Sequence, residues 1–86
     1  METAELLAER RKSHGNFADH AKITQHLKIA IRGYDGWGEL TVSQMEALDM
    51  IAHKIGRILA GNPNFTDHWD DIAGYAKLVA DQCRPK

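Results

Sequence analysis

Apolar residues along this chain recur at intervals of three and four and almost nowhere alternate, so the pattern predicts helices without strands. The clearest run is "TVSQMEALDMIAHKIGRILAG", where Met45, Leu48, Ile51, Ala52, Ile55, Ile58 and Leu59 mark one face of a helix over 41–60. Thr41 or Ser43 caps its start and Gly61 supplies its stop. A second stripe, Trp69, Ile72, Ala73, Ala76, Val79, Ala80 and Cys83, predicts a helix over 67–83 that buries it, with Thr66 as the cap. Phe17, Ala21, Ile23, Leu27, Ala30 and Ile31 predict a helix over 16–32 behind an Asn16 cap. A short first helix over 3–12 gathers Ala4, Leu7, Ala8 and Arg11 on one side and ends at "SHG", where Gly15 is free to take a positive φ. "GYDGWG" breaks the chain between the second and third helices, and its Tyr34 and Trp37 predict a loop that packs. The fold class is therefore all-α: a small helical bundle of about four helices, one domain over 1–86. So short a chain buries a modest core, which favours a homo-oligomer, a dimer or higher.

Charge narrows the classes of function. Eleven Lys and Arg stand against twelve Asp and Glu, with five His left to titrate. The Lys and Arg of "ERRK" and the tail "RPK" are too few and scattered for a groove reader, so no nucleic-acid partner is expected. No apolar run approaches a membrane span, and the N-terminus has no signal-type apolar region. A lone Cys83 forms no internal disulfide, which fits a cytoplasmic protein, and the stripe it shares makes it a small core residue. The histidines form no H-x-x-x-H pair and have no cysteine companion, so no structural zinc site is expected.

Two helices carry the candidate chemistry. On 41–60, Glu46, Asp49, His53 and Arg57 share a stripe nearly opposite the apolar one. That stripe is either a solvated charge ladder or, since Met50 lies beside the acids, a covered subunit or cleft wall. Lys54 and Arg57 either grip phosphate or pair with Asp70 and Asp71 across a helix contact. In "DHWDDIAGYA", Asp67 is explained by the free N–H groups of a helix start, whereas Asp71 lies past the first turn. His68, Asp71, Tyr75 and Leu78 share a face beside Trp69, which makes His68 and Asp71 site candidates. Ala73, Gly74 and Ala76 predict a close approach of two backbones, offsetting the cost of a mid-helix glycine.

"ALDMIAHKIGRILAGNPNFTDHWDDIAGYAKL", with "HGNFADHAKI" before it, resembles a small all-α family of unknown function found mainly in bacteriophage and prophage genomes. The resemblance covers roughly residues 9 to 80, most specifically Lys54–Ile55–x–Arg57 and Trp69–x–Asp71–Ile72–Ala73–Gly74–Tyr75. A weaker similarity is to the MazG-like all-α NTP pyrophosphohydrolases, whose E-x-x-E and E-x-x-D pairs hold Mg²⁺ over a nucleoside triphosphate. That resemblance implies Glu46, Asp49, His68 and Asp71 as metal ligands, with Asp49 and His68 departing from the family glutamates. Histidine suits the hard Mg²⁺ ion poorly. The expected function is binding of a nucleotide or similar phosphate-bearing ligand between the last two helices, by Lys54, Arg57, His53, Trp69 and Tyr75. If catalytic, the protein is a Mg²⁺-dependent pyrophosphohydrolase, and in the phage setting it works in the host cytoplasm. The alternative is a protein-interaction module whose acidic helix meets a host or phage protein.

Overall fold

The computed structural model describes residues 2–85 and consists of four α-helices: α1 (Thr3–His14), α2 (Phe17–Arg32), α3 (Val42–Ala60) and α4 (Thr66–Cys83). A 3₁₀ segment at Asp35–Glu39 links α2 to α3, and there is no strand among the described residues. α3 is central, with α2 packed along one side and α4 along the other.

Local chemistry explains the boundaries. The Asn16 side chain accepts from the Ala18 N–H at 2.8 Å and more weakly from the Asp19 N–H, starting α2 where the sequence predicts. Thr41 and Gln44 form a reciprocal capping box on α3, and the Gly61 N–H donates to the Arg57 carbonyl at its end. α4 differs: its cap position is Phe65 and no side chain caps it, so Thr66 is the first helical residue rather than the cap. Within the glycine-rich loop the Arg32 guanidinium lies 4.8 Å from the centre of the Trp37 ring, while Tyr34 stays exposed.

Gly15 takes φ 78°, as its place after α1 predicts. A Cβ there would strike the Ala60 carbonyl and lie 2.7 Å from the Gly61 nitrogen. The α1–α2 turn therefore rests directly on the end of α3. Beside it, the Ser13 carbonyl accepts from the Asn62 N–H at 3.1 Å and from His68 Nε2–H at 3.0 Å.

The packing phase departs from the apolar pattern. The most deeply buried side chains are polar, Thr24 and His68, each 1% exposed. His68, Ile72, Tyr75 and Val79 turn inward on α4, whereas Trp69, Ala73, Ala76 and Cys83 stand exposed. The predicted α4 stripe is thus split: Ile72, Val79 and Ala80 are partly covered, Trp69, Ala73 and Ala76 are not, and Cys83 is an exposed thiol beside Gln44 of α3 rather than a core residue. Gly74 is not a close-approach residue either, since a Cβ there meets nothing within 4 Å. Close approach occurs at Gly56, where a Cβ would lie 2.6 Å from His20 Cδ2 and closer still to Thr24 Oγ1. α2 and α3 meet through that glycine, which is why polar His20 and Thr24 sit deepest on α2.

Ala47, Ala52 and Ile58 are the fully buried apolar residues, while Leu6, Leu7, Phe17, Leu59 and Trp69 are more than two-fifths exposed. The Cα radius of gyration is 14.9 Å, against about 12 Å for a compact chain of this length. Much apolar surface is left for something else to cover. No helix among the described residues is long and apolar enough to cross a membrane.

Candidate functional site

The middle of the polar stripe of α3, Asp49 and His53, is covered by α2, while Glu46 is exposed. Asp49 receives two short hydrogen bonds from Arg32 Nη2, at 2.7 and 2.8 Å. Lys28 Nζ donates to His53 Nε2 at 3.0 Å, which fixes His53 as the neutral Nδ1–H tautomer. Burial first, then Lys28 and Arg57, lowers the His53 pKa, and Asp49 opposes them. The cover over Asp49 and His53 is a helix of the same chain rather than a second subunit or a cleft, and the Asp49–His53–Arg57 ladder does not form.

On the other side of α3, Lys54 is 8% exposed and pairs with Asp71 at 2.9 Å. The Lys54 hydrogen bond, chiefly, holds the Asp71 carboxyl below the usual aspartate range. Lys54 therefore takes the helix-pairing option and Arg57 does not. Tyr75 is half-buried along the same helix; Trp69 is exposed, its indole N–H donating to the Pro63 carbonyl at 2.7 Å. Glu46 is exposed and in no ion pair with a described residue.

His68 stands apart from these acids. Its Nε2–H is spent on Ser13, and its ring is edge-on to His14 at 4.7 Å and to Phe65 at 4.9 Å. It ties α4 to the α1–α2 turn. Among the described residues, no group of three or more His, Cys, Asp or Glu side chains gathers as a metal site. Glu46, Asp49, His68 and Asp71 thus do not fit Mg²⁺ as arranged: one carboxylate is taken by Arg32, another by Lys54, and the histidine by a carbonyl.

Arg57 leads elsewhere. It lines a groove of about 450 Å³ where the end of α1, the start of α2 and the end of α3 meet. Arg10, Arg11, His14 and His20 share the rim, Leu7 and Phe17 are its apolar members, and no carboxylate lines it. None of the three arginines is in an ion pair with a described residue. Burial, then Arg57, lowers the pKa of both His14 and His20, so both rings are held toward the neutral form. His20 is nearly buried, and its Nε2 has no hydrogen-bond partner. Guanidinium forks with no counter-charge in a half-open pocket are suited to a phosphate or carboxylate.

The chain belongs to the family described as domain of unknown function DUF6378, which matches residues 1–83. No curated protein and no solved structure matches it. The DUF6378 match runs through α1 and the α1–α2 turn, so the groove lies wholly inside the family's own span.

Of the ligand-binding residues expected from sequence, only Arg57 lines this groove of the DUF6378 chain; Arg10, Arg11, His14, Phe17 and His20 were not among them. The signal that finds them is "RRKSHGNF": cations in the last turn of one helix, a glycine of positive φ, then a capped helix start. A turn that folds back on itself places those cations beside the new helix N-terminus, where the backbone itself favours an anion.

Proposed function

We propose that this protein binds a phosphate-bearing ligand, a nucleotide in the reading the sequence favours, in the groove around Arg57. The observation that carries it is a pocket of ligand size lined by three arginines and two histidines with no acid in its wall. An unpaired cluster of this kind is costly to assemble by self-repulsion and gains by accepting an anion. Binding rather than hydrolysis is the proposed role, because Asp49 and Asp71, two of the three acids that would hold Mg²⁺, are engaged in ion pairs and Glu46 stands apart from them. In the phage setting the resemblance implies, such a protein suits nucleotide metabolism or interference with a host's nucleotide-signalled defence, acting in the cytoplasm.

The test is a thermal-shift panel of nucleoside mono- and triphosphates, cyclic nucleotides and pyrophosphate, in EDTA and in Mg²⁺, on the wild type and Arg57→Ala. We predict a ligand-dependent rise in Tm for the wild type that Arg57→Ala removes. No shift with any phosphate ligand would sink the proposal.

A second feature supports association with a further copy. The exposed side of α4 carries Trp69, Ala73 and Ala76, and α3 exposes Leu48 and Leu59 eleven residues apart on one helical face. We propose that these apolar stripes meet in a homo-oligomer, with a host or phage protein as the other occupant of the same surface. Light scattering decides: Leu59→Glu is predicted to lower the oligomeric mass, and a wild type that is monomeric at all concentrations would contradict self-association.

A further inference from the structure

We infer that the ligand of this groove is a nucleoside monophosphate, its base laid on the Phe17 ring and its phosphate held without metal by the groove's arginines. This rests on the phosphate-binding reading above and adds the other half of the ligand.

Phe17 is 78% exposed, yet it is not a loose side chain. It opens α2, its backbone is fixed by the Asn16 cap beside it, and its ring stands edge-on to the nearly buried His20 at 5.9 Å. The result is an anchored aromatic ring facing water next to Arg10, Arg11 and Arg57. Every nucleobase has a π-face that such a ring can stack, and an arginine beside it adds to the attraction. Leu7, on the end of α1, supplies further apolar lining for base or sugar.

The phosphate end follows from charge. A nucleoside triphosphate in water is carried as its magnesium complex, and this lining offers that cation no carboxylate. Three guanidinium groups more than neutralise a single phosphate dianion without help from a metal, and a groove of about 450 Å³ lies toward the smaller end of ligand pockets.

Isothermal titration in EDTA at low salt tests this with AMP, UMP, ribose 5-phosphate and inorganic phosphate, on wild type, Phe17→Ala, Phe17→Trp and Arg57→Ala. Base stacking gives AMP a roughly tenfold or larger advantage over ribose 5-phosphate in the wild type. Phe17→Ala removes that advantage by weakening AMP more than ribose 5-phosphate, Phe17→Trp keeps it, and Arg57→Ala weakens both ligands. Circular dichroism checks that the exposed Phe17 is dispensable for folding. Equal affinity for AMP and ribose 5-phosphate overturns the base platform while leaving the phosphate groove standing. Absence of binding by all four, in EDTA and in a parallel titration with Mg²⁺, overturns both, and binding seen only in the Mg²⁺ titration overturns the metal-free mode. If Phe17→Ala changes the oligomeric mass while the AMP preference survives, Phe17 is a subunit contact and the inference fails.

Discussion

Substituting alanine for two glycines, one at the α2–α3 contact and one on the open side of α4, is predicted to move stability in opposite directions. In a helix interior, replacing Gly by Ala gains about 0.5–1 kcal/mol when the methyl group has room. At Gly74 it has room, since a Cβ meets nothing within 4 Å. At Gly56 the same methyl would lie 2.6 Å from His20 Cδ2 and 3.2 Å from the His20 carbonyl oxygen, with Thr24 Oγ1 nearer still. Thr24 is 1% exposed, and the His20 ring is hemmed in by Phe17 and His53, so neither side chain has an easy retreat. Overpacking of this kind costs about 1–3 kcal/mol, which at mid-range outweighs the helix gain and leaves a net loss of about 1.25 kcal/mol. At about 4–8 °C per kcal/mol for a domain of this size, Gly56→Ala lowers Tm by roughly 5–10 °C, and Gly74→Ala raises it by about 2–8 °C. Thermal unfolding followed by circular dichroism reads both. If Gly56→Ala is as stabilising as Gly74→Ala, α2 and α3 do not approach through this glycine, and the polar seam described here is wrong.

Two further outcomes follow from the charged groups. Asp71→Asn is predicted to destabilise the fold more than Lys54→Met, because the first strands a buried ammonium and the second leaves a half-exposed carboxylate to water; urea midpoints at neutral pH give the comparison, and the reverse order would contradict the pairing. His14, His20 and His53 are all held below the ordinary histidine value of 6.5, so below that value the unfolded chain binds more protons and stability falls as the pH drops toward their folded values. The depressed Asp71 acts separately, adding stability above the ordinary aspartate value of 3.8 that is lost as the pH falls through its lower folded value. Urea midpoints that stay level or rise between pH 7 and pH 5 would contradict the histidine assignment.

The helices, their caps at Asn16 and Thr41, the stops at Gly15 and Gly61, and the all-α class were legible because each depends on local chemistry within a few residues. The phase of α4 was not. A binary pattern places the apolar stripe against whatever covers it, and here Trp69, Ala73 and Ala76 face away from α3 while His68 faces in. Periodicity cannot distinguish a stripe that meets its own chain from one left for another surface. Arg57 was legible as a phosphate candidate, but its partners were not, because the groove joins α1 to the end of α3 across more than forty residues of chain. Lys54 and Arg57 lie one turn apart on α3, yet their side chains part, one into an ion pair with α4 and the other into a groove.

Where the ligand sits is read residue by residue in an NMR titration of the amides with AMP in EDTA. The account predicts shifts at the Gly15, Asn16 and Ala18 amides and at the Arg57 side-chain N–H, saturating together and absent from Arg57→Ala. Shifts confined to Asp70–Leu78 on α4, or appearing only when Mg²⁺ is added, would contradict it.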